Sequence, residues 1–227
     1  MKTAAAIAVL SLLVLAACRR PDPGAGPRLK ADLAGAWVRE IRDAVAGDEG
    51  FDLRADGSVA LLGIFSMNGI AWTVSREELV ISTNTDRYAQ PNPSRLRIVS
   101  LERDVLTLDA DPPNYLAGSW HRSPVDHVSG VVTYLERIAL PPDARVEVRI
   151  RRGERLLSRT LISPQGAVPI PFTLSVLPDS APDTSGYALE ASIIAADGPL
   201  FATNAPTPVA ADATGVELLV RPSPSAR

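Results

Sequence analysis

Few residue types in this 227-residue chain suit bond-making chemistry, and those present are scattered. There is one cysteine, Cys18, at the end of an apolar run that begins after Lys2. With no second thiol, the rest of the chain builds no disulfide framework. The two histidines, His121 and His127, with Asp126 beside the second, supply too few donors for a metal centre, which needs three or four converging ligands. They read as solvated residues at a domain seam. Asp109 and Asp111 have the look of paired acids, but Pro112-Pro113-Asn114 follows at once, and a turn is the plainer explanation. No Gly-x-Ser-x-Gly elbow, His-Glu-x-x-His pair or phosphate-binding glycine loop occurs. The chain is therefore expected not to be an enzyme and to use no cofactor and no metal.

Two residue sets suit binding instead. Arg145, Arg149 and Arg151 alternate with Val146, Val148 and Ile150, so on an extended strand they share one face with Glu147. Together with Arg155 and Arg159 on the next strand they form a candidate cationic plate for phosphate headgroups or an acidic peptide. The alternative is a solvated sheet face laced with cross-strand ion pairs. The second set is Trp37, Phe51, Phe65 and Trp72, which would line a small apolar ligand cavity if the first half closes into a barrel. The alternative there is a packed core. With 23 Lys and Arg against 26 Asp and Glu, a formal net charge of −3 and both signs interspersed, nucleic acid is not an expected partner.

The elements that must carry these residues start with a leader. The apolar run from Ala4 to Ala17 is shorter than the roughly 20 residues of a membrane-spanning helix. It follows a basic residue and ends in Leu15-Ala16-Ala17, so residues 1–17 read as a secretory signal peptide. Leu15-Ala16-Ala17-Cys18 resembles the lipobox of bacterial lipoproteins. That resemblance implies cleavage between Ala17 and Cys18 and a diacylglycerol on the Cys18 thiol, hence membrane attachment through an N-terminal lipid anchor. With Arg19 and Arg20 after the cysteine and no Asp there, it implies an outer-membrane lipoprotein facing the periplasm, with the inner membrane as the alternative. Residues 18–32, rich in Pro and Gly, read as a lipidated tether.

Beyond the tether, alternating apolar runs separated by turn signals predict an all-β protein. Asp56-Gly57 joins a hairpin of Phe51–Arg54 and Val59–Leu61; Arg152-Gly153 joins Arg145–Ile150 to Leu156–Thr160; Asp197-Gly198 joins Ala188–Ala195 to Leu200–Thr203. Prolines in the second half are expected to mark strand limits. A break at Arg122–His127 divides two units, 33–122 and 127–221, with residues 222–227 as a disordered tail. No internal repeat is expected.

In the second unit, Val128-Ser129-Gly130-Val131-Val132-Thr133-Tyr134, Arg137–Val148, Val168–Leu174 and Tyr187–Ile193 before Asp197-Gly198 resemble the YbaY/YscW family of bacterial lipoproteins. The resemblance implies a β-sandwich, and some of its members are pilotins that help an outer-membrane secretin reach its place. In the first unit, Leu33-Ala34-Gly35-Ala36-Trp37, Gly50–Ser58 and Trp72 followed by Glu78–Ile81 resemble lipocalin-like or META-type lipoprotein domains, which implies a small β-barrel. The expectation is a non-catalytic envelope lipoprotein that binds a protein partner such as a secretin. The alternative is a carrier of a small apolar ligand or lipid in the N-terminal barrel. Replacing Cys18 by Ser is expected to move the protein from the membrane to the soluble fraction of cell lysates, which fractionation and immunoblotting measure.

Overall fold

The computed structural model describes residues 25–40, 48–166, 168–178 and 186–223. The leader, Ala17 and Cys18 lie outside the described residues, as do residues 224–227 of the expected tail. Helix α1 (Ala25–Leu33) leads into the first unit, which contains β1 (Gly35–Arg39), β2 (Glu49–Leu53), β3 (Val59–Leu62), β4 (Asn68–Ser75), β5 (Glu78–Asn84), β6 (Asn92–Glu102), β7 (Val105–Asp109) and β8 (Gly118–Ser123). They form one antiparallel sheet in the order β3-β2-β1-β8-β7-β6-β5-β4. Its two ends meet through a Ser58–Ala71 bridge and a Trp72 N to Gly57 O hydrogen bond of 2.8 Å, so the sheet is a nearly closed barrel.

The second unit follows with β9 (Asp126–Thr133), β10 (Arg145–Arg152), β11 (Arg155–Ile162), β12 (Ile170–Val176), β13 (Tyr187–Ala195), β14 (Gly198–Ala202), β15 (Thr207–Val209), β16 (Val216–Leu219) and β17 (Arg221–Pro222). One sheet runs β11-β10-β13-β14-β17 with β15 added to β13, and a second runs β12-β9-β16. Val146, Val148 and Ile150 of β10 and Leu189 and Ile193 of β13 share a core with Val128, Val132, Phe172, Leu174 and Val176 of the smaller sheet. This is the all-β class expected from the periodicity, with the barrel and the sandwich that the two resemblances imply. The three hairpins form at the expected turns, where Gly57, Gly153 and Gly198 take positive φ.

Three expectations need correction. The reading of residues 18–32 as a tether includes no helix, yet α1 begins at Ala25. Leu29 and Leu33, four residues apart, share one helix face and pack against the barrel core, while Pro27 falls in the first turn, where no backbone donor is lost. Prolines do not only bound strands, since Pro171, Pro208 and Pro222 lie within β12, β15 and β17. Each of these strands pairs on one side only, so the missing N–H is turned away from the ladder.

The third correction is an internal repeat. Leu33-Ala34-Gly35-Ala36-Trp37-Val38-Arg39 and Leu116-Ala117-Gly118-Ser119-Trp120-His121-Arg122 are the same pattern, and β1 and β8 lie side by side antiparallel. In each copy the Trp Nε1 donates to the Leu carbonyl four residues back, at 2.8 Å for Trp37 and 3.0 Å for Trp120. Each arginine reaches into the other copy. Arg122 stands over the Trp37 ring at 4.3 Å and donates to the Asp32 and Ala34 carbonyls, the former in the last turn of α1. Arg39 stands over the Trp120 ring at 4.3 Å and donates to the Tyr115 and Ala117 carbonyls. Gly35 and Gly118 both hold φ near +120°, and a Cβ on Gly35 would meet the Arg122 guanidinium at 2.8 Å.

Replacing Arg122 or Arg39 by Leu strips two carbonyls of a charged donor and is expected to lower the stability of the first unit by roughly 1–3 kcal/mol. Arg95→Leu, which breaks only an exposed pair with Glu78, is expected to change it by well under about 1 kcal/mol. Urea unfolding followed by tryptophan fluorescence separates the two.

Candidate functional site

The polar side chains concentrate where the two units meet. Asp52, on β2, is 2% exposed. A carboxylate that deep must be hydrogen-bonded, and its hydrogen-bond partners come from the second unit. Ser175 Oγ on β12 donates to Asp52 Oδ2 at 2.7 Å, His127 Nε2 on β9 meets the same oxygen at 2.9 Å, and Arg54 Nε lies 3.5 Å away. Arg54 in turn donates through Nη2 to Ser175 Oγ at 2.8 Å and to the Thr173 carbonyl at 3.2 Å. Its burial pushes the Arg54 guanidinium below its ordinary pKa, against the pull of Asp52 and Asp56. His127 does lie at the seam, as the sequence suggested, but bound to Asp52 rather than simply solvated. Beside this cluster Ala36, Val38 and Leu62 of the barrel pack against Val125 and Leu177.

The arginine set forms the second part of the seam. Arg149 on β10 faces Arg159 on β11 and Glu190 on β13. Two cations directly opposite repel, and Glu147, 5% exposed, resolves this by accepting from both, at 2.6 Å from Arg149 and 3.3 Å from Arg159. Arg159 also donates twice to Asp86 of the first unit, at 2.8 and 2.9 Å, in the two-pronged geometry favoured by guanidinium and carboxylate. Arg145 donates to the Thr85 and Asp86 carbonyls. Burial works against the charged form of Asp86, but the hydrogen bonds from Arg159 and Asn68 and the charges of Arg159 and Arg145 outweigh it, holding its carboxyl below the usual carboxylate range.

Arg145, Arg149 and Arg159 are thus brought together, with the loop after β5 seated on part of their face. Arg151 reaches Glu190 at 3.5 Å and the Glu154 carbonyl at 2.9 Å. Arg155 is out of step with Arg159, because a bulge after Ile150 pairs it with Arg152. The uncovered part of the sheet carries a pocket of about 300 Å³ lined by Glu147, Arg149, Glu190, Thr203, Asn204 and Pro206. A wider groove of about 540 Å³ runs along the seam between Ser58 and Ile70 of the barrel and Leu161, Pro171 and Phe172 of the sandwich.

Of the aromatic set, Trp37, Phe51 and Trp72 are buried in the barrel core, and Phe65 is half-buried outside that cluster. Phe51 packs edge-on against Trp120, a residue absent from the sequence-derived set, with centroids 4.8 Å apart. Asp52, Asp86 and Ser175 were also not anticipated, and no local pattern marks them. Asp109, once a candidate acid, is paired with Arg97 on the neighbouring strand.

A nearly closed antiparallel barrel joined through a polar seam to a two-sheet sandwich is the class that this geometry defines. Residues 123–220, the sandwich, match the family model described as type III secretion system lipoprotein chaperone (YscW), in keeping with the resemblance seen in the sequence. Among solved structures, a lipocalin-like protein from Bacteroides thetaiotaomicron VPI-5482 matches at 14% identity over 40% of this chain and 97% of its own, with a TM-score of 0.35. An alternative pilotin from the type II secretion system of Vibrio cholerae matches at 21% identity over 44% of this chain and 100% of its own, with a TM-score of 0.38. No curated protein matches the chain.

Because its pKa is lowered on folding, Asp86 contributes stability that is present above its unfolded pKa, near 3.9, and is lost as the pH falls through the lower folded value. Asp86→Asn is expected to lower the melting temperature at pH 7. The gap between variant and parent is expected to shrink below about pH 4. Calorimetry across pH 2–7 checks both.

Proposed function

We propose that this chain is a lipid-anchored envelope protein of pilotin type, which binds a protein partner, a secretin, through its sandwich and does no bond chemistry. The observation that carries this reading is the match of residues 123–220 to the lipoprotein chaperone family. The lipobox-like Leu15-Ala16-Ala17-Cys18 supports it by supplying a means of carrying a bound partner to a membrane. The outer face of the β10–β13–β14 sheet suits the partner, because the charged pocket at Glu147, Arg149 and Glu190 is the part of that face left open by the barrel. The barrel would then act as a rigid spacer, fixed to the sandwich by Asp52 and Asp86, between the anchor and the binding face.

The reading is tested in intact cells of the parent organism. Photo-crosslinkers placed at Thr203 and Asn204 are expected to capture a secretin subunit, identified by mass spectrometry. Cys18→Ser is expected to leave that capture in place while the secretin is lost from the outer-membrane fraction. Capture of no secretin from either position, or normal secretin delivery by Cys18→Ser, would overturn it.

A further inference from the structure

The seam between the units buries polar atoms that no protein group meets within hydrogen-bond geometry. Among the described residues these are Asn68 Oδ1 on β4, Ser158 Oγ and Arg159 Nε on β11, and Arg54 Nε just after β2, which meets Asp52 only at 3.5 Å. Ser158 is 1% and Asn68 5% exposed, so bulk solvent does not reach them. Buried polar atoms left in this way are costly.

All four residues line one chamber of about 20 Å³, with Met67, Thr173 and Ser175 among the rest of its wall. One water needs roughly 10–15 Å³. The chamber therefore admits a water or a monatomic ion and nothing larger.

The surrounding bonds fix what each atom can do. Asn84 Nδ2 donates to the Ala89 carbonyl at 3.1 Å, which leaves Asn84 Oδ1 as an acceptor. Asn68 must then turn its Nδ2 to Asn84 and Asp86, at 3.2 Å each, and its Oδ1 the other way. Asn68 Oδ1 can only accept. Arg159 commits both Nη atoms to Asp86, and one of them also to Glu147, so its Nε–H is the donor that remains. Arg54 likewise commits Nη2 to Ser175 Oγ and the Thr173 carbonyl. The Ser158 hydroxyl can give a bond or take one.

The occupant must thus accept from guanidinium N–H groups and also donate to an amide oxygen. A halide cannot donate, and carboxylates already offset both arginines: Asp52 stands beside Arg54, and Asp86 and Glu147 hold Arg159. A metal cation would face two guanidinium charges. Water does both tasks, with two donors and two acceptors for the four atoms.

We propose that this chamber binds one ordered water, which bridges Arg54 and Asn68 of the barrel to Ser158 and Arg159 of the sandwich. Arg54 belongs to the contacts around Asp52, and Asn68 and Arg159 to those around Asp86, so the water makes the two sets one continuous network. The site needs no secretin or other partner to form.

The test uses residues 19–227, which keep every described element, crystallised and solved at high resolution. One density peak is expected within hydrogen-bond distance of at least three of the four atoms, and a parallel crystal soaked in bromide is expected to give no anomalous peak there. Ser158→Val puts two methyl groups in place of the hydroxyl. It is expected to expel the water and to lower the melting temperature by roughly 4–8 °C, through the bonds that Asn68 and Arg159 then lack. Ser119→Val, at an exposed position on β8, is expected to shift it by less than about 2 °C. Three results would overturn the inference: no density peak at the site in the parent, an anomalous bromide peak there, or a Ser158→Val melting temperature equal to or above that of the parent.

Discussion

A carboxylate taken almost wholly out of water must be met by donors, and Asp52 of the barrel meets them on the separately built sandwich. That requirement joins barrel to sandwich more firmly than the small apolar contact beside it, made of alanine, valine and leucine side chains. Removing Ser175 or His127 would take one partner from a buried carboxylate, whereas exposed ion pairs such as Arg95 with Glu78 can be lost at little cost. Asp86 repeats the device at the far side of the seam in a more exposed setting, with Arg159 as its partner. Two clasps of this kind fix a direction as well as a distance, so the outer sheet face of the sandwich and the barrel keep a set relation.

Within the barrel the exchanged arginines play the corresponding part. Strands β1 and β8 are consecutive in the sheet but lie at opposite ends of the unit's sequence. Each sends an arginine across to cover the other's tryptophan and to tie down the turn that precedes it. The cations take up carbonyls that no strand partner reaches, among them that of Asp32 in the last turn of α1, where a positive charge is favoured. A fold with few long helices and no disulfide in its described part thereby obtains a firm closure from side chains alone.

Much of this was legible in the sequence. Alternation around Val146, Val148 and Ile150 and the Asp-Gly turns at 56–57 and 197–198 read directly as strands and hairpins, because period and turn chemistry are local properties. The match over residues 123–220 likewise fell where the proline and valine pattern had suggested it. What could not be read was long-range. Asp52 sits in an ordinary strand, and only the approach of Ser175, more than a hundred residues later, explains its burial. The arginine face looked like a plate because Glu147 counted as one acid among several cations, and Asp86 lies in another unit. Helix α1 was hidden by Pro27 and the prolines that precede it in the sequence, and the seven-residue repeat by the poor likeness of everything around it.

One feature of the topology bears on how the molecule comes into being. In both units the opening strand is completed by a neighbour from near the end of that unit: β1 by β8, and β9 by β16 in parallel. Loop-closure entropy makes such pairings slow relative to hairpins. A chain emerging progressively from a ribosome or a translocation pore can form its hairpins early, but neither core can be sealed until almost the whole unit has emerged. A polypeptide of this design stays threadable until its last strands are available and becomes rigid only then.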